Sequence, residues 1–153
     1  MLSTQFSLLK RYGTPFSLAI IDVDHFKNLN DEQGHQHGDQ MLRDLTGLLT
    51  DTLRTVDILA RYGGDELVVV MPQTDIAGAT TLGERLRVKV EQGMPFTVSV
   101  GVASANDTDT PESLFKRTDA ALYRAKSGGR NCTWCDHGET SDAALQEETC
   151  SNG

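Results

Sequence analysis

Two acidic positions in this chain have the residue types and the setting for metal chemistry. Asp22 follows an almost continuous apolar run that begins at Phe16, and Asp65 follows a glycine pair between two short apolar runs. Two such runs joined by glycines are typical of a β-hairpin. If the strands are neighbours, the two carboxylates converge at one sheet edge. Converging carboxylates suit Mg²⁺ and leave room for phosphate oxygens, so the pair suggests metal-dependent phosphoryl transfer. Taken singly, each acid fits a solvated strand end better.

The elements that must hold these acids alternate between strands and helices. Runs of apolar residues indicate buried strands, recurrence every three or four residues indicates helices, and Thr110-Pro111-Glu112 is typical of a helix start. The pattern predicts a short helix over 5–12, a strand over 16–21, helices over 25–33 and 39–53, a hairpin with strands over 58–60 and 67–71, a helix over about 76–92, a half-buried strand over 96–102 and a helix from 110 to 128. This order predicts an α+β fold with a mostly antiparallel sheet.

Composition narrows the class of protein. The chain has 153 residues, 38% of them hydrophobic, and a formal net charge of -8. A chain of this length can form one domain with a full core, and the acidic balance argues against binding of a nucleic-acid polymer. No apolar run reaches membrane-spanning length and no signal pattern opens the chain. We therefore expect a cytoplasmic domain over 1–134, followed by a polar, disordered tail over 135–153.

Five ordered stretches of this sequence carry a resemblance to a known family. They are Asp22-Val23-Asp24-His25-Phe26-Lys27 with Asn30-Asp31, His35-Gln36-His37-Gly38-Asp39, Arg61-Tyr62-Gly63-Gly64-Asp65-Glu66-Leu67, Asp119 to Tyr123, and Ala125-Lys126-Ser127-Gly128-Gly129-Arg130-Asn131. In this order and spacing they resemble the GGDEF family, the diguanylate cyclases. The resemblance implies the palm-like fold of nucleotidyl cyclases. It also implies condensation of two GTP into cyclic di-GMP and two pyrophosphates, between two domains of a homodimer that face each other.

The resemblance also assigns roles to the matched residues. It implies that Asp22, the Val23 carbonyl and Asp65 bind Mg²⁺ or Mn²⁺. It also implies that Asp65 or Glu66 acts as the general base that deprotonates the ribose 3′-hydroxyl. The nucleotide-binding residues that it implies are Asn30 and Asp39 for the guanine edge, His35 and Phe26 for the same pocket, Lys27, Lys126 and Arg130 for the triphosphate, and Gly63 and Gly64 for close approach of the backbone. Lys27 is also implied to be catalytic, because its charge can stabilise the transition state.

Structural explanations exist for several of these residues. Asn30 and Asp39 have the residue types of helix caps, and Asp39 is expected to open a helix. His35 lies in a stretch that is expected to be a polar loop, where a histidine is ordinarily solvated. Lys126 and Arg130 follow a helix closely enough to complement its dipole. The family pattern favours the functional interpretation for all of these positions.

A second motif precedes the hairpin. Arg54 and Asp57 form an Arg-x-x-Asp that, by resemblance, is the product-inhibition site, and Arg85 matches a further arginine of that site. An arginine fork pairs well with phosphates and guanine faces. The alternative is a surface ion pair of little energetic value. The motif also supports a rival function, a catalytically silent receptor for cyclic di-GMP, whereas the intact hairpin acids favour the enzyme.

Three features depart from the family or remain outside it. Leu67 replaces the usual phenylalanine, which should be tolerated in a core position. The usual segment before the first strand is short here, which leaves regulation and dimerisation open. Cys132, Cys135 and His137 could suggest a zinc site, but a structural zinc needs four ligands and Cys150 lies in the predicted tail, so we expect no metal there. A weaker rival function is a general nucleotidyl cyclase, against which Asn30 and Asp39 favour guanine.

Overall fold

The computed structural model of the chain describes residues 1–138, which form five strands and five helices. In chain order they are α1 (Leu2–Tyr12), β1 (Phe16–Val23), α2 (Phe26–Gln33), α3 (His35–Thr52), β2 (Ile58–Arg61), β3 (Glu66–Pro72), α4 (Ile76–Gly93), β4 (Val98–Ser104), α5 (Pro111–Ser127) and β5 (Thr133–Asp136).

The strands form one sheet in the order β2-β3-β1-β4-β5. β1 lies at the centre and pairs antiparallel with both β3 and β4, while β5 adds to β4 in parallel. All eight residues of β1 are buried, as expected for a central strand that is covered on both faces. The predicted α+β fold with a mostly antiparallel sheet is confirmed.

Helices cover both faces of the sheet and produce two apolar cores. The larger core joins α3 and α4 to one face through Leu45, Leu49 and Leu86. The smaller core joins α1 and α5 to the other face through Phe6 and Leu114. Because β1 is clamped between both cores, its C-terminal end is a fixed point from which a site can be built.

Several predicted elements differ from the structure. α3 begins at His35, so the expected polar loop around this histidine is helical, and Asp39 lies inside the helix instead of opening it. The helix starts after Gly34, which provides no side-chain cap, and the usual capping signal is therefore missing. The strand expected to be half-buried is β4, which is buried except at Ser104 because helices pack on both of its faces. Leu67 is buried, as expected.

The predicted disordered tail falls mainly on residues outside the described range. Its first two residues, Cys135 and Asp136, belong to β5, a strand that the sequence pattern did not reveal. Within residues 1–138, no helix has both the length and the apolar character needed to span a bilayer.

Candidate active site

Strand register brings the two predicted metal-binding acids together. Asp22, the penultimate residue of β1, pairs with Glu66, the first residue of β3. The backbone N–H of Val23 donates to the carbonyl of Asp65 across the same edge, at 3.3 Å. The carboxyls of Asp22 and Asp65 lie close enough to interact directly. The convergence expected from the sequence is therefore present, and it follows from the antiparallel pairing of β1 with β3.

This edge is electrostatically crowded. Burial raises the pKa of Asp22 to about 6; the hydrogen bond from Lys126 opposes this rise and the nearby Asp65 adds to it. Burial also raises the pKa of Glu66, with further contributions from the charges of Asp22 and Asp119. We refer to Asp22, Asp65 and Glu66 as the acidic edge. Asp22 and Glu66 hold protons more tightly than ordinary carboxylates, because burial and neighbouring negative charge disfavour their ionisation and raise their pKa.

Lys126 supplies the positive charge at this edge. It lies in the last turn of α5 and forms an ion pair with Asp22. The resemblance implies that Lys126 contacts the triphosphate. In the structure its ammonium group contacts the carboxylate of Asp22, a predicted metal ligand. The residue therefore lies where it can contact either group. Its position is set by α5, which packs against β4 and β1.

The acidic edge suits a hard divalent cation. It presents carboxylate oxygens, to which the resemblance adds the backbone carbonyl of Val23. Among residues 1–138 no three acidic, histidine or cysteine side chains gather in a way that could hold a metal ion. An ion on Asp22 and Asp65 would therefore complete its shell with water or phosphate oxygens. Mg²⁺ commonly binds in this way, through one or two carboxylates and substrate phosphates.

The hairpin tip that carries Asp65 is held by an arginine. Arg61 donates from Nε to the Gly63 carbonyl at 3.1 Å and from Nη2 to the Gly64 carbonyl at 2.7 Å. Neither glycine adopts a positive φ. The left-handed conformation, a common reason for glycine in a tight turn, is therefore not the reason for glycine at these two positions. A Cβ atom added at Gly64 would have no atom within 4 Å beyond its chain neighbours. The backbone here therefore faces open space from which a ligand could approach.

A cavity of about 330 Å³ opens beside this tip, between α3 and the hairpin. Its lining includes Asp39, Gly64, Asp65 and Glu66, so it joins one predicted guanine-binding residue to the acidic edge. The other lining residues are Leu42, Arg43, Thr46, Arg61 and Leu67. Leu42, Arg43 and Thr46 were not predicted as site residues. They lie three, four and seven residues after Asp39 on α3, so helical spacing from Asp39 could have identified them.

Asn30, the second predicted guanine-binding residue, lies on α2 beside α3. A Cβ on Gly38 would come within 1.8 Å of Asn30 Oδ1, so the glycine is needed for this close approach. Asn30 Oδ1 is buried and has no hydrogen-bond partner among the described residues. Phe26, at the start of α2, is buried beneath the same contact. An unpartnered buried acceptor is costly, which indicates that a donor group of a ligand could satisfy it.

The remaining predicted nucleotide-binding residues do not line the cavity. Lys27 is exposed on the first turn of α2, and His35 is exposed at the start of α3. Arg130 is exposed in the turn after α5. Neither His35 nor Phe26 lines the cavity beside Asp39. The structure thus brings Asp22, Val23, Asp65, Glu66 and Lys126 to one edge of the sheet and Asp39 to the cavity beside it, whereas Lys27, His35 and Arg130 are exposed outside the cavity lining.

A sequence model of the family described as "Diguanylate cyclase, GGDEF domain" matches residues 1–132. The chain belongs to the GGDEF family. Among curated relatives, the response regulator PleD of Caulobacter vibrioides is 45% identical over 140 residues, covering 82% of this chain and 31% of PleD. Diguanylate cyclase DgcM of Escherichia coli is 45% identical over 121 residues, covering 76% of this chain and 30% of DgcM. The chain thus spans about a third of the length of these relatives.

Solved structures of GGDEF domains share this fold. The GGDEF domain of DgcB from Caulobacter crescentus, solved in complex with c-di-GMP, has a TM-score of 0.83 and 34% identity, and the match covers 88% of this chain and 85% of that one. An active GGEEF domain of a diguanylate cyclase from Vibrio cholerae has a TM-score of 0.81 and 32% identity, covering 88% and 90%.

This GGDEF domain has a second cavity, of about 530 Å³, at the N-terminal end of α4. Arg54 and Arg85 both line it, together with Thr74 and Asp75, and we call it the arginine cavity. Arg54 forms an ion pair with Asp57 at 2.8 Å and also donates to the Pro72 carbonyl and to Thr74 Oγ1. The side chain of Asp57 is fully buried, whereas that of Arg54 is 47% exposed. The arginine is therefore fixed in place and still accessible to a ligand.

Proposed function

We propose that this chain is the catalytic domain of a diguanylate cyclase that condenses two GTP into cyclic di-GMP and two pyrophosphates. The observation that carries the proposal is the convergence of Asp22 and Asp65 beside a cavity that Asp39 also lines. A nucleotide whose base lay against Asp39 would extend its phosphates toward the acidic edge. Family membership supports the same activity.

Base recognition rests on Asn30 and Asp39. Asn30 Oδ1 is a buried acceptor without a partner, and Asp39 is an exposed carboxylate beside the cavity. The Watson–Crick edge of guanine presents N–H donors, which such acceptors can bind, whereas adenine presents an acceptor at the corresponding ring nitrogen. GTP should therefore bind more tightly than ATP. Equal affinities in a calorimetric titration would exclude this base-reading role.

The chemistry takes place at the acidic edge. Asp22, Asp65 and the Val23 carbonyl would hold Mg²⁺ or Mn²⁺, which when bound neutralises phosphate charge and polarises the phosphoryl group. The 3′-oxygen of one GTP attacks the α-phosphorus of the other; a P–O bond forms there as the bond to pyrophosphate breaks. Glu66 or Asp65 accepts the hydroxyl proton. The raised pKa of Glu66 makes its carboxylate a better base than an ordinary glutamate.

The triphosphate is negatively charged and the chain is acidic overall, so binding needs a few cationic side chains at the site. Lys126 already lies at the acidic edge. Lys27 lies five residues after Asp22 and Arg130 lies four residues after Lys126; both are exposed and would complete the charge neutralisation. Each domain would hold one GTP, so two domains must face each other, and we propose a homodimer as the active form.

Incubation of the purified protein with GTP and Mg²⁺, followed by separation of the products, tests the proposal. We expect cyclic di-GMP and pyrophosphate in a one-to-two ratio, with specific activity that rises with protein concentration because two domains must meet. ATP in place of GTP is the matched control. Absence of product at protein concentrations that drive dimerisation would overturn the cyclase assignment.

A receptor for cyclic di-GMP is the second candidate, and the arginine cavity is the observation that favours it. Arg54 and Arg85 present two cations to one space of about 530 Å³. A cyclase would use this site for product inhibition, whereas a receptor would use it alone. Binding of cyclic di-GMP without any synthesis, even in a forcibly dimerised protein, would select the receptor.

A further inference from the structure

The turn after α5 has an unfavourable backbone. Gly129 has φ 117°, and the next two residues, Arg130 and Asn131, have φ 63° and 46°. Two consecutive non-glycine residues in the left-handed region are uncommon, because their Cβ atoms crowd the backbone. Such a conformation persists only when surrounding contacts over-determine it. The proposed triphosphate contact, Arg130, is therefore presented by a strained turn that other residues must hold.

Asp24 is the first of these anchors. Its buried carboxylate accepts from the backbone N–H of Asn131 at 3.0 Å, from Thr97 Oγ1 at 2.7 Å and from Ser99 Oγ at 2.6 Å. Asp24 comes two residues after Asp22 at the end of β1. Its bond to Asn131 therefore ties the strained turn directly to the strand that carries the acidic edge.

Arg87 of α4 is the second anchor. It is only 5% exposed and donates from Nη1 to Asn131 Oδ1 at 2.9 Å. Glu84 and Glu91 fix its guanidinium from either side, and Glu91 also accepts from Asn131 Nδ2 at 3.3 Å. A buried arginine is rare unless it is paired. Here its planar fork joins helix α4 to the turn.

We propose that Asp24 and Arg87 are positioning residues, which hold Asn131 so that the neighbouring Arg130 meets the triphosphate of the bound nucleotide. The inference rests on the proposed function, because it assumes a nucleoside triphosphate at the acidic edge. Asp24 and Arg87 touch neither substrate nor metal. Their effect passes through the backbone conformation of the turn.

The variant Asp24→Asn tests the first anchor. Its oxygen can still accept from Ser99, and the Thr97 hydroxyl can rotate to accept from the new amide, but Asn131 N–H loses its acceptor. The measurement is calorimetric affinity for GMP and for a GTP analogue with an α,β-methylene bridge, which cannot release pyrophosphate. We expect the analogue to bind about 10-fold more weakly, at the lower end of what outer supporting residues contribute, and GMP affinity to stay unchanged.

Whether Asp24→Asn weakens or tightens binding of the analogue distinguishes a positioning role of Asp24 from a purely electrostatic one. Removing a negative charge near the phosphates would by itself tighten binding of the analogue. Thr97→Val is the matched control, since it removes a bond to the same carboxylate without touching the turn. It should lower the melting temperature to a similar extent and leave the ratio of analogue to GMP affinity unchanged.

The second variant, Asn131→Gly, tests the Arg87 anchor. It can be measured even if Asp24→Asn does not fold. Glycine tolerates the left-handed conformation and keeps the N–H bond to Asp24, but it removes the side chain that Arg87 holds. It should also weaken binding of the analogue selectively. Either variant, when combined with Arg130→Ala, should cost no further affinity, because both act through the same guanidinium.

Three outcomes would overturn the inference while leaving the proposed function intact: an equal loss for GMP and the analogue, tighter binding of the analogue, or full additivity with Arg130→Ala. A wild-type protein that binds neither nucleotide would overturn the proposed function, and the inference with it.

Discussion

The acidic edge and the arginine cavity differ in how their charged side chains are paired. At the acidic edge, carboxyl groups of one sign crowd together, and burial raises the pKa of both Asp22 and Glu66. In the arginine cavity, Arg54 lies against a buried carboxylate of opposite sign, with backbone and hydroxyl acceptors completing its shell. The first region is destabilised by its own charges and would be relieved by a cation. In the second, Arg54 is already paired, and the cavity offers a ligand its exposed face together with the exposed side chain of Arg85.

The two regions differ in the source of their binding free energy. Under the proposed function, a cation at the acidic edge would remove repulsion between carboxylates that the fold already holds together before substrate arrives. A ligand in the arginine cavity must instead add contacts to a structure that is stable without it. Mutations should therefore affect activity most at the acidic edge, and regulation most at the arginine cavity.

The largest effect is expected for Asp65→Asn. It keeps the shape of the hairpin tip but halves the number of charged metal ligands, so turnover should fall by more than about 100-fold, since even supporting residues of metal sites contribute 10–100-fold. The melting temperature should stay equal or rise, because repulsion with Asp22 is removed. Steady-state synthesis of cyclic di-GMP and thermal unfolding measure the two effects.

Asp51→Asn is the control for this variant, because it removes one exposed carboxylate from α3 far along the helix from the cavity-lining residues. It should change neither quantity. Turnover that survives Asp65→Asn would show that the acidic edge does not carry the chemistry.

Steric crowding near the acidic edge gives the second prediction. In Gly38→Ala the new methyl group would lie 1.8 Å from Asn30 Oδ1 and must displace that side chain. Overpacking costs about 1–3 kcal/mol, partly offset by the helix preference of alanine over glycine, about 1 kcal/mol. We expect a loss of about 1 kcal/mol in unfolding free energy and a reduced preference for GTP over ATP in calorimetry.

Gly47→Ala on the same helix is the matched control. Nothing lies within 4 Å of a Cβ at this position, so alanine should stabilise the protein by up to about 1 kcal/mol and leave nucleotide preference unchanged. If Gly38→Ala behaves in the same way as Gly47→Ala, then Asn30 does not read the base.

Local signals in the sequence predicted the strands that carry the acidic edge, but not their pairing. Apolar runs indicated β1 and the hairpin, whereas the pairing of β1 with β3 comes from the structure. The convergence of Asp22 with Asp65 was therefore predicted only on the condition that the two strands are neighbours. Base contacts were assigned through family resemblance, since neither Asn30 nor Asp39 has a distinctive local pattern.

Other features depend on contacts that no local pattern contains. β5 is four residues long and includes Trp134 and two polar residues, so it shows no clear period until it pairs with β4. The start of α3 lacks a side-chain cap. The bond between Arg87 and Asn131 spans 44 positions in the chain, and only the packing of α4 against β5, which begins two residues after Asn131, brings the two residues together.

The third prediction concerns the arginine cavity. Arg54→Ala removes the guanidinium that pairs with the buried Asp57 side chain, which keeps one backbone N–H as a donor. Leaving a buried carboxylate underbonded costs about 1–3 kcal/mol, and the half-exposed arginine places the loss near the lower limit. Turnover at low product should persist, while inhibition by added cyclic di-GMP should disappear.

Arg54→Lys sharpens this experiment. A lysine keeps the charge but loses the planar fork, so inhibition should weaken without a return to full sensitivity. Unchanged product inhibition in both variants would reduce the motif to a surface ion pair. Loss of turnover in Arg54→Ala would instead show that the two regions are not independent.

The smallest effect on stability is expected for Arg85→Ala. Arg85 is exposed on α4, and exposed substitutions usually change unfolding free energy by less than about 0.5 kcal/mol. Its side chain lines the arginine cavity with Arg54, so the expected change is a weaker affinity for cyclic di-GMP at constant turnover and constant melting temperature. Lys89→Ala, also exposed on α4 but outside the lining, is the control for helix propensity and charge. If both variants reduce cyclic di-GMP affinity equally, the effect is one of net charge. A loss confined to Arg85→Ala would locate the ligand in the arginine cavity, because only that side chain faces it.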